Sequence, residues 1–513
     1  MKPAYRTITL CLFLAGCPKQ SAPATAPAAT PCVEPQSDPA AREPLADLDA
    51  RVKQVMDAFH VPGVAIAIVK DGKVVIAKGY GVRERGKPDA VDADTVFAIA
   101  SNTKAFIGTV LALLDHEKAL DLDDRVKDRL PWFQTWDPLT TKEMRVRDLV
   151  THRSGLDTWA GDLVWIGSKI ETRTLLSRLP SLPAKSGLRG SYGYSNIMFA
   201  VAGEVIATVT GKSWDVVVGE RLLQPIGMNR TTTSVAALAK QDNVATPHSK
   251  VGDSDVIDAY LPVDNAGAAG ALNSSAADMA RWVLVQLGEG TIDGKAIVPA
   301  EVVRATRVAH TPVPLAHDDA LGRHLQAYGL GWFLYDYRGR GVVTHGGGLP
   351  GMTSQVLMIP EEQLGVVVLT NSESAASGVI ALHVADAFIA DEPTDHLARV
   401  LARQRSAKPK EATDAPTGEP LPVTAVRGSY KNPLLGRATI AEAKGVLELR
   451  LPDHGGLDCP LRPKAGPVYA CTWSNPIFGE SEVHFDVTRG RAVGMRFKVR
   501  PEFIDPLEYR FRR

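Results

Sequence analysis

Residues 97–114, FAIASNTKAFIGTVLALL, decide the fold of this chain. A short strand-like run at Phe97 and Ile99 breaks at residues 100–102, and apolar residues then recur at helical spacing. Ser101 therefore lies at the mouth of a helix, where Ser and Asn side chains cap the helix and backbone N–H groups point at whatever binds there. The helix that follows is apolar on all sides, which is typical of a buried helix.

Lys104 follows Ser101 by three residues, so one helical turn brings its amine to the same face as the serine hydroxyl. Apolar neighbours disfavour the charge of a lysine, and a neutral amine beside a serine can take the hydroxyl proton and make a nucleophile. A Ser-x-x-Lys pair is more often a capped helix with a solvated lysine. This pair occurs once in the chain and starts a buried helix, which favours catalysis.

Composition limits the classes of protein that the chain can belong to. Its 513 residues suggest two or three domains, and 45% hydrophobic residues are ordinary for a globular protein. The 58 Lys and Arg residues balance the 58 Asp and Glu residues. Since no excess of positive charge is present, we expect no nucleic-acid partner.

Residues 1–17 have the pattern of a signal peptide. Lys2 and Arg6 precede an apolar run over residues 8–16, which is too short to span a bilayer. The run ends in LAGC, which resembles a bacterial lipobox and makes Cys17 the expected site of lipidation. The alternative is an ordinary secretory signal with an incidental cysteine. We expect a lipid-anchored protein of the cell envelope, on the periplasmic or extracytoplasmic face, with residues 18–44 as a Pro/Ala-rich tether.

Cysteine usage agrees with export. Of the five cysteines, Cys11 is lost with the signal and Cys17 carries lipid, which leaves Cys32, Cys459 and Cys471. Cys459 and Cys471 flank a turn with Pro and Gly and can form a hairpin disulfide in an oxidising compartment. No Cys or His cluster has metal-ligand spacing, so we expect neither a metal nor another cofactor.

Residues 45–395 have the pattern of an α+β domain. A helical stretch leads to a hairpin with a turn at Asp71-Gly72 and apolar runs on both sides. Helical segments then dominate until strands return at residues 341–344, 353–359 and 364–370. Strands at both ends with helices between them predict a sheet that joins the two extremes of the domain.

Two further motifs lie in this domain. Tyr194-Ser-Asn196 opens an apolar helix; a phenol near the lysine can relay protons, and an Asn amide can hold a substrate carbonyl. His345-Gly-Gly347-Gly348 follows a strand-like pair of valines, and glycines there let a substrate lie against the strand edge. Taken alone, the first motif is more often a loop tyrosine with a capping Asn, and the second a glycine-rich turn with a surface histidine.

Each motif has a second copy further along the chain. Tyr430-Lys-Asn432 repeats the first, and His454-Gly-Gly456 repeats the second within a turn. We favour the earlier copies because they lie in the same domain as Ser101.

The three motifs, in this order, resemble those of the penicillin-recognising serine hydrolases. This family comprises serine β-lactamases, D-alanyl-D-alanine carboxypeptidases, D-aminopeptidases and related esterases, and the resemblance covers about residues 45–390. It implies a β-lactamase-like domain and an acyl-enzyme mechanism, with Ser101 as nucleophile and Lys104 and Tyr194 as proton-transfer groups. It also implies an oxyanion hole from the N–H groups of Ser101 and Gly348. The remaining implied substrate-binding residues are Asn196, His345, Gly347 and Gly348.

One departure bears on the substrate. Many β-lactamases of this family carry Lys where this chain has His345, and a histidine near its reference pKa of about 6.5 is mostly neutral at pH 7. A neutral imidazole can still donate one hydrogen bond to a carbonyl or carboxylate. We therefore expect a peptidase or esterase acting on D-amino-acid peptides, peptidoglycan-derived ones among them, or on small esters and amides. The alternatives are a β-lactamase or a catalytically silent penicillin-binding-type sensor lipoprotein.

The last part of the chain has a different pattern. Residues 396–422 are charged and contain Pro, as in a linker, and residues 423–513 alternate apolar and polar side chains, as at Leu447, Leu449 and Leu451. Half-buried antiparallel strands that close into a small barrel satisfy this alternation. The segment resembles the lipocalin-like C-terminal module of some of these hydrolases. We expect it to fold independently.

Overall fold

A computed structural model describes residues 44–251, 254–316, 319, 321–406, 418–443, 445–499 and 504–513. The predicted signal peptide, its lipidation site Cys17, Cys32 and nearly all of the predicted tether lie outside these residues. Within the described segments, no helix combines the length and the apolar composition that crossing a bilayer requires.

The described residues form the following α-helices: α1 (Leu48–Phe59), α2 (Thr103–His116), α3 (Val126–Arg129), α4 (Pro138–Glu143), α5 (Val146–Leu149), α6 (Thr172–Leu176), α7 (Asn196–Thr210), α8 (Trp214–Val218), α9 (Gln224–Ile226), α10 (Val235–Leu238), α11 (Ala276–Leu287), α12 (Ala300–Thr306), α13 (Ala376–Ile389), α14 (His396–Ser406) and α15 (Val423–Val426). The strands of the first domain are β1 (Gly63–Lys70), β2 (Lys73–Gly81), β3 (Val96–Ala98), β4 (His248–Val251), β5 (Ser254–Ile257), β6 (Asn273–Ser275), β7 (Thr291–Ile292), β8 (Lys295–Ala296), β9 (Thr311–Pro312), β10 (Gln326–Tyr328), β11 (Phe333–Tyr337), β12 (Arg340–Leu349), β13 (Met352–Ile359) and β14 (Leu364–Thr370). Those of the second are β15 (Gly428–Asn432), β16 (Gly436–Ala443), β17 (Val446–Arg450), β18 (Asp458–Pro463), β19 (Val468–Thr472), β20 (Glu480–Thr488), β21 (Arg491–Phe497) and β22 (Tyr509–Arg512).

An eight-stranded antiparallel sheet is the centre of the first domain, with the strand order β2-β1-β14-β13-β12-β11-β10-β9. Strand β1 from the start of the domain pairs with β14 from its end, as the sequence predicts. The hairpin of β1 and β2 turns at Asp71 and Gly72, whose φ angles of 50° and 71° are those of a two-residue hairpin turn. The sheet therefore joins the two extremes of the domain.

Both faces of the sheet are covered by apolar helices. Residues of α1 and α13 form a core with the alternate side chains of β1 and β14, and Leu397 of α14 belongs to the same cluster. The opposite face packs against α11, and α2, α7 and α12 contribute to the same apolar cluster. The segment that we predicted as a linker from residue 396 thus begins as a helix packed on the first domain. Its apolar residues explain this, because they give α14 an amphipathic face.

Strands β15 to β22 form a closed antiparallel barrel. In β17 and β18, buried and exposed residues alternate, so the period of two that predicts half-buried strands matches the structure. Tyr430 of the second Tyr-x-Asn copy is buried inside the barrel, where its hydroxyl donates to the carbonyl of Val426 over 2.6 Å. An α+β domain followed by an antiparallel barrel is confirmed.

The barrel and the first domain share one interface. Residues Pro44–Arg513 form one compact unit, and Trp165 of the first domain belongs to the same apolar cluster as Phe478 and Tyr509 of the barrel. Main-chain hydrogen bonds cross the interface, among them Gly455 N–H to the carbonyl of Gly167 over 2.7 Å. The second His-Gly-Gly copy therefore lies at the domain contact, and these contacts argue against independent folding of the two parts.

Candidate active site

Ser101 lies in a short 3-10 turn, Ala100–Asn102, that leads directly into α2. Our expectation that Ser or Asn caps this helix is wrong, because α2 begins without a side-chain cap hydrogen bond. The Asn102 amide instead donates to Oγ of Ser354 on β13 over 2.9 Å. Ala100 has a φ of 47°, a left-handed conformation that is uncommon outside glycine and that often occurs next to reactive residues.

Lys104 is fully buried one turn after Ser101. Its Nζ lies 2.9 Å from Oγ of Ser101, 2.8 Å from Oδ1 of Asn196 and 2.7 Å from the carbonyl oxygen of Ala269. Burial lowers the pKa of Lys104 to about 7, although the carboxyl group of Asp162 opposes that shift. A large share of the lysine is then neutral at physiological pH and able to accept a proton from Ser101.

Tyr194 is a second side chain in contact with the serine. Its hydroxyl is hydrogen-bonded to Ser101, and Nζ of Lys104 lies 4.9 Å from the centre of its ring. Burial raises the pKa of Tyr194 well above 10, so the phenol keeps its proton and can donate it. The preceding Gly193 allows this loop to pass close to Leu156, because a Cβ there would lie 1.9 Å from the carbonyl oxygen of Leu156.

Asn196 is the first residue of α7, and both ends of its amide are engaged within the protein. Oδ1 accepts from Lys104, and Nδ2 donates to Oδ2 of Asp162 over 2.6 Å. The amide oxygen thus faces the lysine and the amide nitrogen faces Asp162. In this arrangement Asn196 positions the lysine. Asp162 uses one of the two N–H groups of Nδ2, and the second is the donor left for a substrate carbonyl, as the sequence predicts.

His345 on β12 is 1% exposed. Its Nδ1 lies 2.6 Å from the carbonyl oxygen of Gly346 and its Nε2 lies 2.9 Å from the hydroxyl of Tyr328. A carbonyl only accepts, so Nδ1 carries the proton and Tyr328 donates to Nε2. Burial, with the nearby charge of Lys104, lowers the pKa of His345 to about 3. The ring lines the cavity as a neutral group, and neither nitrogen has a free hydrogen bond for a substrate.

The glycines after His345 allow close approach on one side and access on the other. A Cβ at Gly347 would lie 2.1 Å from the carbonyl oxygen of Ile99, so only glycine lets β12 pass beside the turn of Ser101. A Cβ at Gly348 would meet nothing within 4 Å. The pairing of β12 with β11 ends at Thr344, so the edge of residues 345–349 on that side faces the cavity.

These groups line a cavity of about 850 Å³. Part of its wall is apolar and comes from both domains: Trp159, Trp165, Ile166 and Leu261 of the first domain, and Pro476, Ile477 and Ile504 of the barrel. Carboxyl groups of Asp258 and Glu373 lie on another part of the wall. Of the described residues that line the cavity, none is Lys or Arg.

Two further predictions concern metals and disulfides. Among the described residues, no group of three or more His, Cys, Asp or Glu side chains is placed to hold a metal ion. Cys459 and Cys471 form a disulfide within the barrel, between β18 and β19, with sulfur atoms 2.05 Å apart.

Several residues around the lysine have no recognisable signal in the sequence. Asp162 is a buried carboxyl group hydrogen-bonded to Asn196, and the buried Asp505 accepts from the N–H of Leu163 in the same turn. Tyr328 and His152 pack against the rings of the site. His152 lies within the stretch VRDLVTHRSG, but nothing in its spacing predicts contact with the ring of Tyr194, 4.1 Å away between centroids. Each of these contacts depends on tertiary packing.

Comparison with known proteins gives relatives that resemble about two thirds of this chain. Unguisins hydrolase ungD of Aspergillus violaceofuscus is 28% identical over 64% of this chain and 61% of its own length. Unguisins hydrolase ungD' of Aspergillus campestris is 30% identical over 65% of this chain and 64% of its own length. Protein flp of Staphylococcus aureus strain MW2 is 27% identical over 64% of this chain and 63% of its own length. The chain thus covers less than two thirds of the length of these relatives.

Solved structures share the fold. The octameric penicillin-binding protein homologue from Pyrococcus abyssi superposes with a TM-score of 0.61 and 22% identity, covering 91% of this chain and 100% of that one. A class C β-lactamase from Rhodobacter sphaeroides superposes with a TM-score of 0.54 and 21% identity, covering 69% of this chain and 100% of that one. The sequence pattern of the β-lactamase family matches residues 48–390. Since this match spans more than half of the chain, the protein belongs to the β-lactamase family.

Proposed function

We propose that this protein is a serine hydrolase that forms an acyl-enzyme on Ser101 and acts as a peptidase or esterase. The observation that carries the proposal is the contact of 2.9 Å between Oγ of Ser101 and Nζ of a fully buried Lys104. Burial disfavours the ammonium form, so the lysine can serve as a base without a large rise in pH. The family fold, shared with hydrolases, supports this activity.

The proposed reaction uses groups that already touch one another. Lys104 takes the proton of the Ser101 hydroxyl while Oγ forms a bond to the substrate carbonyl carbon, and the carbonyl π electrons move to oxygen. The backbone N–H groups of Ser101 and Gly348 are the proposed donors to that oxyanion. The electron pair on the oxyanion then re-forms the carbonyl while the bond from the carbonyl carbon to the leaving group breaks. Tyr194 gives its proton to the leaving group and regains one from Lys104, and the acyl group stays on Ser101. Water attacks this ester with the same groups as base and acid and returns the free serine.

The charge of the cavity supports a substrate without an essential carboxylate. His345 is neutral, and none of the described wall residues is Lys or Arg, whereas Asp258 and Glu373 carry carboxyl groups. An ammonium group or a neutral polar group suits this wall better than an anion. The apolar wall formed by both domains can accept an alkyl or aromatic substituent. We therefore favour esters, amides and short peptides, including D-amino-acid amides with a free amine and peptidoglycan-derived peptides.

We further propose that the protein acts at the cell envelope, anchored through a lipid on Cys17. The support is the sequence LAGC after a short apolar run, followed by a Pro- and Ala-rich segment of about 27 residues. Such a segment, at about 3.1 Å per residue when extended, gives the catalytic unit a reach of roughly 80 Å from a membrane surface.

The experiment that tests the proposed function is covalent labelling with a fluorophosphonate, followed by peptide mass analysis. We expect one adduct on Ser101 in the wild type and none in Ser101→Ala. Ser195→Ala is the matched control, because Ser195 is buried next to Tyr194 and its Oγ has no hydrogen-bond partner among the described residues. Failure of the wild type to react, or equal reaction of Ser101→Ala, would contradict the proposal.

Turnover separates the alternatives that remain. The hydrolysis rate of the purified protein is measured with D-amino-acid amides, acyl-D-Ala-D-Ala, p-nitrophenyl esters and nitrocefin. We expect hydrolysis of esters or D-amino-acid derivatives and little hydrolysis of nitrocefin. Efficient turnover of nitrocefin alone indicates a β-lactamase, whereas labelling without any turnover indicates a sensor.

A further inference from the structure

The loop that ends at the 3-10 turn Asp162–Val164 brings a buried carboxyl group to the catalytic lysine through one amide. Asp162 is 3% exposed, and it accepts hydrogen bonds from Nδ2 of Asn196 over 2.6 Å and from Nε1 of Trp165 over 2.9 Å. The hydrogen bond to Asp162 fixes the orientation of the Asn196 amide, and its Oδ1 is thereby held 2.8 Å from Nζ of Lys104. Burying a carboxyl group is costly unless its hydrogen bonds are satisfied, so this one needs an explanation.

A second buried carboxyl group comes from the barrel. Oδ2 of Asp505 accepts from the backbone N–H of Leu163 over 2.8 Å and from the hydroxyl of Tyr509 over 2.5 Å, and Oδ1 accepts from the N–H of Leu507 over 2.9 Å. Asp505 thus ties the turn that carries Asp162 to the last strand of the barrel. The contact joins residues 342 positions apart in the chain.

We propose that Asp162 is a positioning residue for the Ser101–Lys104 pair, acting through Asn196, and that Asp505 of the barrel controls the charge of Asp162. The barrel would then set how readily the lysine loses its proton, in addition to forming part of the cavity wall. This inference rests on the proposed acylation of Ser101.

The electrostatics agree with the geometry. Burial raises the pKa of Asp162 to about 8, and the neighbouring Asp505 contributes to that rise. Burial raises the pKa of Asp505 to about 6. Negative charge on Asp162 favours the ammonium form of Lys104, and negative charge on Asp505 disfavours the charge on Asp162. The two carboxyl groups therefore act on the lysine in opposite directions.

The other titratable groups around the lysine do not compete in the same pH range. Lys104 is faced by Tyr194 from the loop before α7, by His152 from the loop after α5 and by His345 from β12, and Asp162 is also faced by Tyr509 of the barrel. Burial raises the pKa of both tyrosines well above 10 and lowers that of both histidines well below 6.5. All four are neutral near pH 7, which leaves the two carboxyl groups to tune Lys104.

The test measures the second-order rate constant for fluorophosphonate labelling of the full chain between pH 5 and 9. Asp162→Asn keeps the shape but removes one acceptor of the hydrogen bonds that hold Asn196 and Trp165, so we expect labelling to slow about 10-fold. Its acidic midpoint should change little, because Asp162 is mostly uncharged below its pKa of about 8. Asp505→Asn removes the charge that opposes ionisation of Asp162. We expect its midpoint to move to higher pH.

Asp278→Asn is the matched control, because Asp278 is a similarly buried carboxyl group that accepts from Thr231 and from the Arg230 N–H and does not line the cavity. We expect it to lower stability and to leave the midpoint unchanged. Slower labelling in Asp162→Asn together with a higher midpoint in Asp505→Asn supports the inference. A wild-type rate in Asp162→Asn, or an unchanged or lower midpoint in Asp505→Asn, overturns it. If Asp162→Asn does not fold, Asp505→Asn decides: a rise supports the inference, and no change or a fall overturns it. A wild type that is not labelled contradicts the proposed function itself.

Discussion

The hydroxyl of Tyr328 donates a hydrogen bond to Nε2 of His345 over 2.9 Å, at a position where many β-lactamases of this family carry lysine. Because Nδ1 of the same ring is held by the carbonyl of Gly346, the imidazole is locked as one neutral tautomer. The sequence suggested His345 as a hydrogen-bond donor to the substrate. In the structure both of its ring nitrogens are engaged, and His345 forms part of the cavity wall.

We predict that His345→Lys destabilises the protein and does not create a β-lactamase. A lysine here is buried beside Lys104 without a carboxylate partner, which costs about 3 kcal/mol. The pKa of such a lysine is depressed in the folded state, so the loss is largest at low pH, where the unfolded state binds one more proton. Urea unfolding at pH 6 and pH 9 measures the difference, with Tyr328→Phe as a milder variant at the same contact. Unchanged stability together with new nitrocefin turnover would show that this assignment is wrong.

The fold was largely predictable, because its signals are local. The two-residue turn at Asp71-Gly72, the apolar helix after Ser101 and the alternation in β17 each depend on residues within one element. The Ser101–Lys104 contact was predictable for the same reason, since one helical turn sets its geometry.

The missed features depend on residues distant in the chain. Asp505 reaches the turn of Asp162 across the domain interface, and Tyr328 reaches His345 from a strand beyond the neighbouring one. The prediction of a helix cap at Ser101 was wrong for a different reason. The residues before α2 form a 3-10 turn, and the Asn102 amide donates to Ser354 on β13. No periodicity within a segment encodes such pairings.

A second prediction concerns Lys104→Met. The loss of the base should slow labelling of Ser101 by about 1,000-fold or more. In the wild type, labelling should rise as the pH passes about 7, the pKa to which burial lowers Lys104. Folded Lys104 has a depressed pKa, so the wild type loses stability as the pH falls from 10.5 towards 7, and Lys104→Met does not. Thermal unfolding at pH 6 should then show the variant at least as stable as the wild type.

Lys185→Met is the matched control, because its ammonium group is more than half exposed and pairs with Asp157 at the surface. We expect its labelling rate and its pH profile to equal those of the wild type. A Lys104→Met variant that keeps its labelling rate would exclude the lysine as the base.

A third prediction concerns a fragment that ends at Ser406, before the barrel. Deletion exposes the apolar residues of the first domain that join the barrel cluster and removes Asp505 from the turn of Asp162. We expect a lower melting temperature, aggregation at micromolar concentration and at least 10-fold slower labelling of Ser101. Adding the barrel as a separate chain, residues 418–513, is the control and should restore part of the rate. A soluble fragment with the wild-type rate would support independent domains.

A fourth prediction concerns Cys17, which lies outside the described residues. If LAGC is a lipobox, Cys17→Ser should move the protein from the membrane fraction to the soluble fraction or leave its signal peptide uncleaved. Immunoblots of the membrane and soluble fractions, together with the mass of the N-terminal peptide, measure this. Cys32→Ser is the control, because Cys32 lies after the predicted lipidation site and should not affect anchoring. A wild-type N-terminal peptide without lipid contradicts the expectation.

The last prediction concerns the carboxyl groups of the cavity wall. Glu373 is partly buried but keeps part of its surface in solvent, so its effect on a bound charge is screened and should be modest. We predict that Glu373→Gln lowers kcat/KM about 3-fold for D-alanine p-nitroanilide, whose amine is cationic, and leaves the N-acetylated analogue unchanged.

The pH dependence follows from the pKa of Glu373, which burial and the nearby Asp258 raise above its ordinary value. As the pH rises through that value the carboxylate forms, so the preference of the wild type for the free amine should increase. It should decrease again above the pKa of the substrate amine, about 8. Asp258→Asn should reduce the preference in the same direction, whereas Glu301→Gln, on the helix α12, serves as a control that does not line the cavity. Equal losses for the free and acetylated substrates would mean that Glu373 supports the wall without recognising charge.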